Sequence, residues 1–279
     1  MTGADAAPPP AVVAPAPGRT AQAEPRRPWA PDPPSAADVI FEDEFDRAPD
    51  EPGSPWMTTY FWGGRTLPTN KEEQFYLDRN YRPPSGLPQP FRPFEIRDGM
   101  LVIRAERIPP ERRGDFGGLA YASGLITTWK SFAFTYGRVE VRAKFPSGKG
   151  LWPAIWLLRR DSGKNGEIDI VEMLGHRPDF MTSTLHYPEG GVMKSDKLLR
   201  LKGPELGGRF RVYELEWTAE YIVIRLDGEE LARRPTPEAF KRPMYLLVNL
   251  AVGGQWPGPP DATTVFPAEM LIDYVRIRR

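Results

Sequence analysis

Between residues 137 and 145 apolar and charged side chains alternate without a break. Val139, Val141, Ala143 and Phe145 fall on one side, and Arg138, Glu140, Arg142 and Lys144 on the other. A two-residue period marks a strand with one face in a core and one in water. A helix would scatter the same side chains around its axis. The period returns in Tyr213, Leu215 and Trp217, and again in Ile222, Ile224 and Leu226, where Asp227-Gly228 then supplies a tight hairpin turn. The apolar run 151–158 suits a buried strand, and 99–105, 244–252 and 270–277 read as further strands. Helical periodicity is scarce; residues 237–241 suffice for a single turn. Many short strands punctuated by Gly and Pro predict an all-β fold, a two-sheet antiparallel β-sandwich of the jelly-roll kind.

The ordered part is expected to begin near Val39. Residues 1–36 hold 10 of the 33 prolines among many alanines and carry no apolar run of signal-peptide length. They read as a disordered linker ahead of one domain over 37–279. Residues 60–98 are rich in Gly and Pro, and a long irregular insertion in a compact domain is often functional.

Composition removes several classes of function. Lys+Arg and Asp+Glu are both 37, so the global basic field of a nucleic-acid binder is absent. Cysteine is absent, which excludes disulfides and thiolate chemistry. With 2 His and no Cys, a His/Cys metal site is not expected. No stretch reaches the apolar length of a membrane-spanning helix. Neither Pro146-Ser147-Gly148 nor Asp161-Ser162-Gly163 fits a serine-hydrolase elbow, and no phosphate-binding glycine loop is present.

Chemistry concentrates in residues 165–173, NGEIDIVEM, where three carboxylates lie within six residues among strand formers. In a strand Glu167 and Asp169 share one face, and Ile168 and Ile170 pack on the other. Strict alternation would then bury Glu172 with the isoleucines, at a prohibitive desolvation penalty. One β-bulge near Ile170-Val171 returns Glu172 to the acidic face. Three crowded carboxylates repel one another and spread their pKa values. A glycosidic bond cleaved by a carboxylate pair needs that spread, one group ionised and one protonated. Spacing alone leaves a solvated acidic face or a calcium site as alternatives.

The run GEIDIVEMLG resembles the signature of glycoside hydrolase family 16 in its bulged form. The likeness extends over roughly residues 40–279: FEDEFD resembles the first strand, GRVEVRAKFPSGKGLWPAIWLL the strands before the active site, and YELEWTAEYIVIRLDGEE, NLAVGGQWPG and MLIDYVRIRR the closing strands. The resemblance implies a jelly roll with a concave substrate cleft and cleavage with retention of anomeric configuration. It makes Glu167 the nucleophile, Asp169 its helper and Glu172 the acid/base. It also implies a secreted or periplasmic, single-copy enzyme of polysaccharides, with no nucleic-acid or membrane partner. YFWGGRTLPTNKEEQFYLD and GLITTWKSFAFTYGRVEVRAKFP look nearest the branch that trims succinoglycan-type exopolysaccharide, with laminarinases and mixed-linkage glucanases close behind. A transglycosylase would use the same chemistry with a sugar acceptor, and a carbohydrate-binding sandwich without catalysis is the contrasting class.

Around this signature the candidates for substrate binding are Trp62, Asn70, Trp129, Trp152, Trp156, His186 and Trp256. Trp152 and Trp156 flank Pro153; one is expected in the cleft wall beside the reacting sugar and the other in the core. Trp62, Trp129, Trp256 and Tyr60 are candidates to stack on sugar rings, with core or loop packing as the alternative for each. Arg65 is expected near the sugar with Trp62. Asn70 and Glu72 match the family's Asn-x-Glu, and His186 lies on the strand after the signature, where the family often places a cleft histidine. No cofactor is implied for catalysis. A structural calcium, common in the family, would fall on Asp273, the Gly99 carbonyl and Glu42 or Glu44.

Overall fold

Strand pairing follows the alternation in the sequence. The structure, a computed structural model, describes residues 38–161, 166–203 and 206–279; the linker expected at 1–36 lies outside them. In chain order the strands are β1 (Val39–Asp43), β2 (Gln74–Tyr76), β3 (Phe94–Arg97), β4 (Met100–Arg107), β5 (Tyr121–Ser123), β6 (Leu125–Thr127), β7 (Gly137–Lys144) and β8 (Leu151–Arg159). They continue as β9 (Glu167–Met173), β10 (Phe180–Glu189), β11 (Val192–Lys202), β12 (Phe210–Trp217), β13 (Tyr221–Leu226), β14 (Glu229–Pro235), β15 (Met244–Val252) and β16 (Ala268–Arg278). Helix among the described residues is confined to three short 3-10 segments, one of them Glu238–Phe240, where the sequence allowed a single turn.

Two sheets form. The larger runs β14-β13-β12-β7-β16-β4-β5-β2, with β1 on β16 and β3 on β4; the smaller runs β11-β10-β9-β8-β15-β6. Pairing is antiparallel except between the three-residue β2 and β5. This is the predicted jelly-roll sandwich. The Asp227-Gly228 turn has φ of 52° and 86°, the left-handed pair that a two-residue hairpin requires.

The core lies between the sheets. Val139, Val141 and Ala143 from β7 and Ile168, Ile170 and Val171 from β9 belong to one core cluster, all with no exposed surface. Full burial of such side chains stabilises the fold by about 1.5–3 kcal/mol each. The charged face of β7 points outward into ion pairs: Arg138 binds Glu214, and Arg278 lies 2.8 Å from Glu140. The sandwich thus leaves the outer face of the six-stranded sheet free to carry a site.

The expected calcium ligands do not gather into a donor set. The Asp273 carboxylate is taken by Arg142, and Glu44 by Arg276 at 2.7 Å. Glu42 sits opposite Arg276 in the β1–β16 ladder, and Gly99 follows β3 in the turn to β4. Asp273 and Glu44 thus already hold arginine counter-charges, and no calcium chemistry is derived from them.

Candidate active site

Register explains how three acidic side chains reach one face. On β8, Val171 pairs with Ile155 and Asp169 with Trp156, so Ile170 is an extra residue in β9. The β10 side shows the same shift, between Thr182–Glu172 and Thr184–Asp169. This is the bulge that the desolvation argument required. Ile170 and Val171 both pack inward, while Glu167, Asp169 and Glu172 line one cavity of about 280 Å³.

Strands β8 and β15 furnish the walls beside β9, while β10 flanks it on the other side. Opposite Glu172, Asp169 and Glu167 on β8 stand Ala154, Trp156 and Leu158; on β10 stand Thr182, Thr184 and His186. Trp152 donates its indole N–H to Glu172 Oε1 at 3.2 Å. Trp156 donates to Asn249 Oδ1 at 2.7 Å, and Asn249 donates to the Tyr76 hydroxyl at 3.0 Å. Both tryptophans line the cavity. Four residues apart in a strand they share a face, and Trp156, only 8 % exposed, is at the same time part of a buried apolar cluster with Tyr60, Tyr76 and Tyr245, as expected for one of the two.

One end of the cavity is aromatic. Trp62, 49 % exposed, stacks on Tyr60 at 4.5 Å with the rings 2° from parallel. Asn70 donates to Glu72 Oε1 at 3.0 Å and Gln74 to Oε2 at 2.6 Å, so Glu72 is fixed from both sides. Burial raises the Glu72 carboxyl above its ordinary range, against these hydrogen bonds.

Four candidates lie outside the lining of this cavity: His186, Trp129, Trp256 and Arg65. Trp129 is absent from the lining; it lies against Phe61 at 4.7 Å and Tyr245 at 5.0 Å and supports the aromatic end from behind. Trp256 is outside the lining too, packing edge-on against Trp152 at 5.5 Å, with 40 % of its surface exposed. Arg65 is drawn away from the cavity by Asp78 at 2.9 Å and the Tyr76 carbonyl at 2.8 Å, with its guanidinium over the Tyr81 ring. A buried carboxylate outcompetes an open cleft for an arginine.

Desolvation raises all three central carboxyls. Glu172 is pushed up to about 7 by burial and then by the charge of Glu167, with His186, the Trp152 hydrogen bond and Lys197 pulling the other way. Burial and the mutual repulsion of the group raise Glu167 and Asp169 well above their usual values. Asp169 is the neighbouring charge that weighs most on Glu167, so the two carboxyls raise each other's ionisation cost. Asp169 is 3 % exposed, and Glu167 is the less enclosed of the two. Burial therefore penalises the charge of Asp169 more heavily than that of Glu167.

His186 faces this pair, with Nε2 at 3.1 Å from Asp169 Oδ2 and Nδ1 at 2.8 Å from the Ser195 hydroxyl. Asn249, Ser195 and Lys197 were not singled out from sequence. An asparagine midway along an otherwise apolar strand was the available signal for Asn249. No comparable signal marks Ser195 or Lys197, because β11 lacks an apolar stripe.

Comparison with known proteins points to one family. The family model for glycosyl hydrolases family 16 matches residues 92–276. The chain is 38 % identical over 241 residues to the endo-1,3-1,4-beta-glycanase EglC of Rhizobium meliloti (strain 1021), covering 85 % of this chain and 50 % of that protein. A second protein of that organism, the endo-1,3-1,4-beta-glycanase ExsH, is 37 % identical, with 87 % and 52 % covered. The chain thus spans about half the length of these two relatives. Among solved structures, the laminarinase from Rhodothermus marinus superposes with a TM-score of 0.70 at 30 % identity, covering 87 % of this chain and 97 % of that one. With the signature, the bulge and the sandwich in agreement, the chain belongs to glycosyl hydrolases family 16.

Proposed function

We propose that the protein is an endo-acting β-glucan hydrolase that retains anomeric configuration by double displacement. The observation that carries this reading is the bulge at Ile170, which puts Glu167, Asp169 and Glu172 on one wall of an aromatic-lined cavity. Glu167 attacks the anomeric carbon while protonated Glu172 donates to the leaving oxygen, and a glycosyl ester forms on Glu167. Asp169, two residues along on the same face, acts as the helper that tunes the ionisation of Glu167. Glu172 then removes a proton from water, which releases the sugar with its original configuration. Three crowded buried carboxylates favour catalysis over binding alone, since binding needs no such cluster. The relatives named endo-1,3-1,4-beta-glycanases support a β-1,3/1,4-linked glucan, with succinoglycan-type exopolysaccharide as a further substrate to test. Polymers of this kind lie outside the cell, which supports an exported enzyme.

One assay set tests the reading. Laminarin, mixed-linkage glucan and an acidic exopolysaccharide are digested and the products sized; oligosaccharides of intermediate length are expected from at least one. Proton NMR of the earliest product is expected to show the β-anomer, and an initial α-anomer overturns the double displacement. In the same assay, kcat/KM should fall as pH rises through about 7, where Glu172 loses the proton that it must donate.

The aromatic end gives a second expectation. Trp62→Ala should raise KM roughly 5–10-fold, the worth of one lost ring stack. Its melting temperature should scarcely change, because the ring is half exposed. A large loss of stability with KM intact would assign the ring to packing.

A further inference from the structure

Asp169 Oδ2 is buried and accepts no hydrogen bond. It belongs to a side chain only 3 % exposed that lines the cavity, where an orphaned oxygen is unfavourable. The nearest cationic group, His186 Nε2, lies 3.1 Å away, at ion-pair distance when the imidazole is protonated. Glu167 completes the group, and one ligand atom from each of the three lies within 4.8 Å of the others.

We propose that Glu167, Asp169 and His186 form a binding site for a zinc-class transition-metal ion, which silences the enzyme when it binds. Zinc bonds of about 2.0–2.2 Å in tetrahedral geometry set neighbouring ligand atoms roughly 3.3–3.5 Å apart. The 3.1 Å between Nε2 and Oδ2 is close to that spacing. One imidazole and two carboxylates suit zinc or copper, whereas calcium takes six to eight oxygens. The far nitrogen of His186 already has the outer hydrogen bond that orients metal-binding histidines, here to Ser195 at 2.8 Å. The fourth position opens into the cavity, where water or a sugar hydroxyl would sit. Counting His and Cys in the sequence passes over such a site because two of its ligands are carboxylates. An ion here occupies the lone pair with which Glu167 attacks, so metal and substrate compete.

Binding itself does not depend on the proposed activity; only the silencing rests on that reading. Calorimetric titration of the chelator-treated protein with zinc chloride, in a non-coordinating buffer, should give one ion per chain. His186→Gln and Asp169→Asn should each weaken binding at least about tenfold, with melting temperature as the check on folding. His176→Gln, which alters the other histidine, should titrate like the wild type. In activity assays zinc should raise KM for laminarin, and excess chelator should restore it. Absence of binding overturns the site, as does binding unchanged in His186→Gln and Asp169→Asn. Binding without inhibition keeps the site and overturns the silencing. A wild type inactive on every glycan tested speaks only against the proposed activity.

Discussion

Glu167→Ala is expected to lower turnover of a β-glucan about 10⁴-fold or more, the scale seen when a covalent nucleophile is removed. The fold should survive, because the change removes a partly buried charge whose carboxyl is already strained upward in pKa. Azide should then enter from the face that Glu167 vacates and yield an α-glycosyl azide. Glu172→Ala separates the two roles. It removes the proton donor, so poor leaving groups suffer most, while activated aryl glycosides keep some glycosylation because they need little protonation. Azide attacks the glycosyl ester without a base, so that variant should release a β-glycosyl azide. Identical azide anomers from the two variants would sink the assignment of roles, and a Glu167→Ala variant within tenfold of the wild type would remove Glu167 from the chemistry.

The second large effect is structural and far from the cavity. Trp217 ends β12, has no exposed surface, and meets Phe134 and Tyr136 edge-on at 5.6 and 5.3 Å. Trp217→Ala should destabilise the protein by about 3–5 kcal/mol through lost burial and the cavity left behind. For a chain of this size that corresponds to roughly 6–20 °C in melting temperature. The indole N–H of Trp217 is buried without a partner. Trp217→Phe removes that orphan along with part of the ring, so its penalty should be much smaller. Urea unfolding compares the two. Equal losses would mean that the indole N–H is satisfied after all. Neither change should alter kcat/KM where the protein is folded, since Trp217 lies on the ten-stranded sheet.

How much of this was legible depended on how each residue earns its place. β7 announced itself because one face meets the core and the other meets water. The bulge at Ile170 was legible for an energetic reason: no other local structure keeps Glu172 out of the core. Trp156 was open to the same logic, since its spacing from Trp152 fixes a shared face. Arg65 and Trp129 were not legible, because their partners Asp78 and Tyr245 are remote in sequence and only the folded chain brings them together. β11 escaped because it has no apolar period: Lys194, Ser195, Lys197 and Arg200 are exposed, and its inward residues bunch at Leu198 and Leu199 across a register shift. With β11 unread, Ser195 could not be placed on His186.

The same polar strand has a consequence for how the protein behaves at high concentration. β11 ends the six-stranded sheet and β14 is the corresponding end strand of the larger one. An end strand offers a row of free amide and carbonyl groups that another chain can pair with. Here the two ends approach each other, with Arg234 of β14 at 3.9 Å from Asp196 of β11. Both strands are studded with charge, and β14 closes on Pro235, which has no amide proton to offer. A second molecule trying to extend the sandwich at this margin would have to bury lysines and arginines against its own, so this edge is guarded against ribbon-like polymerisation.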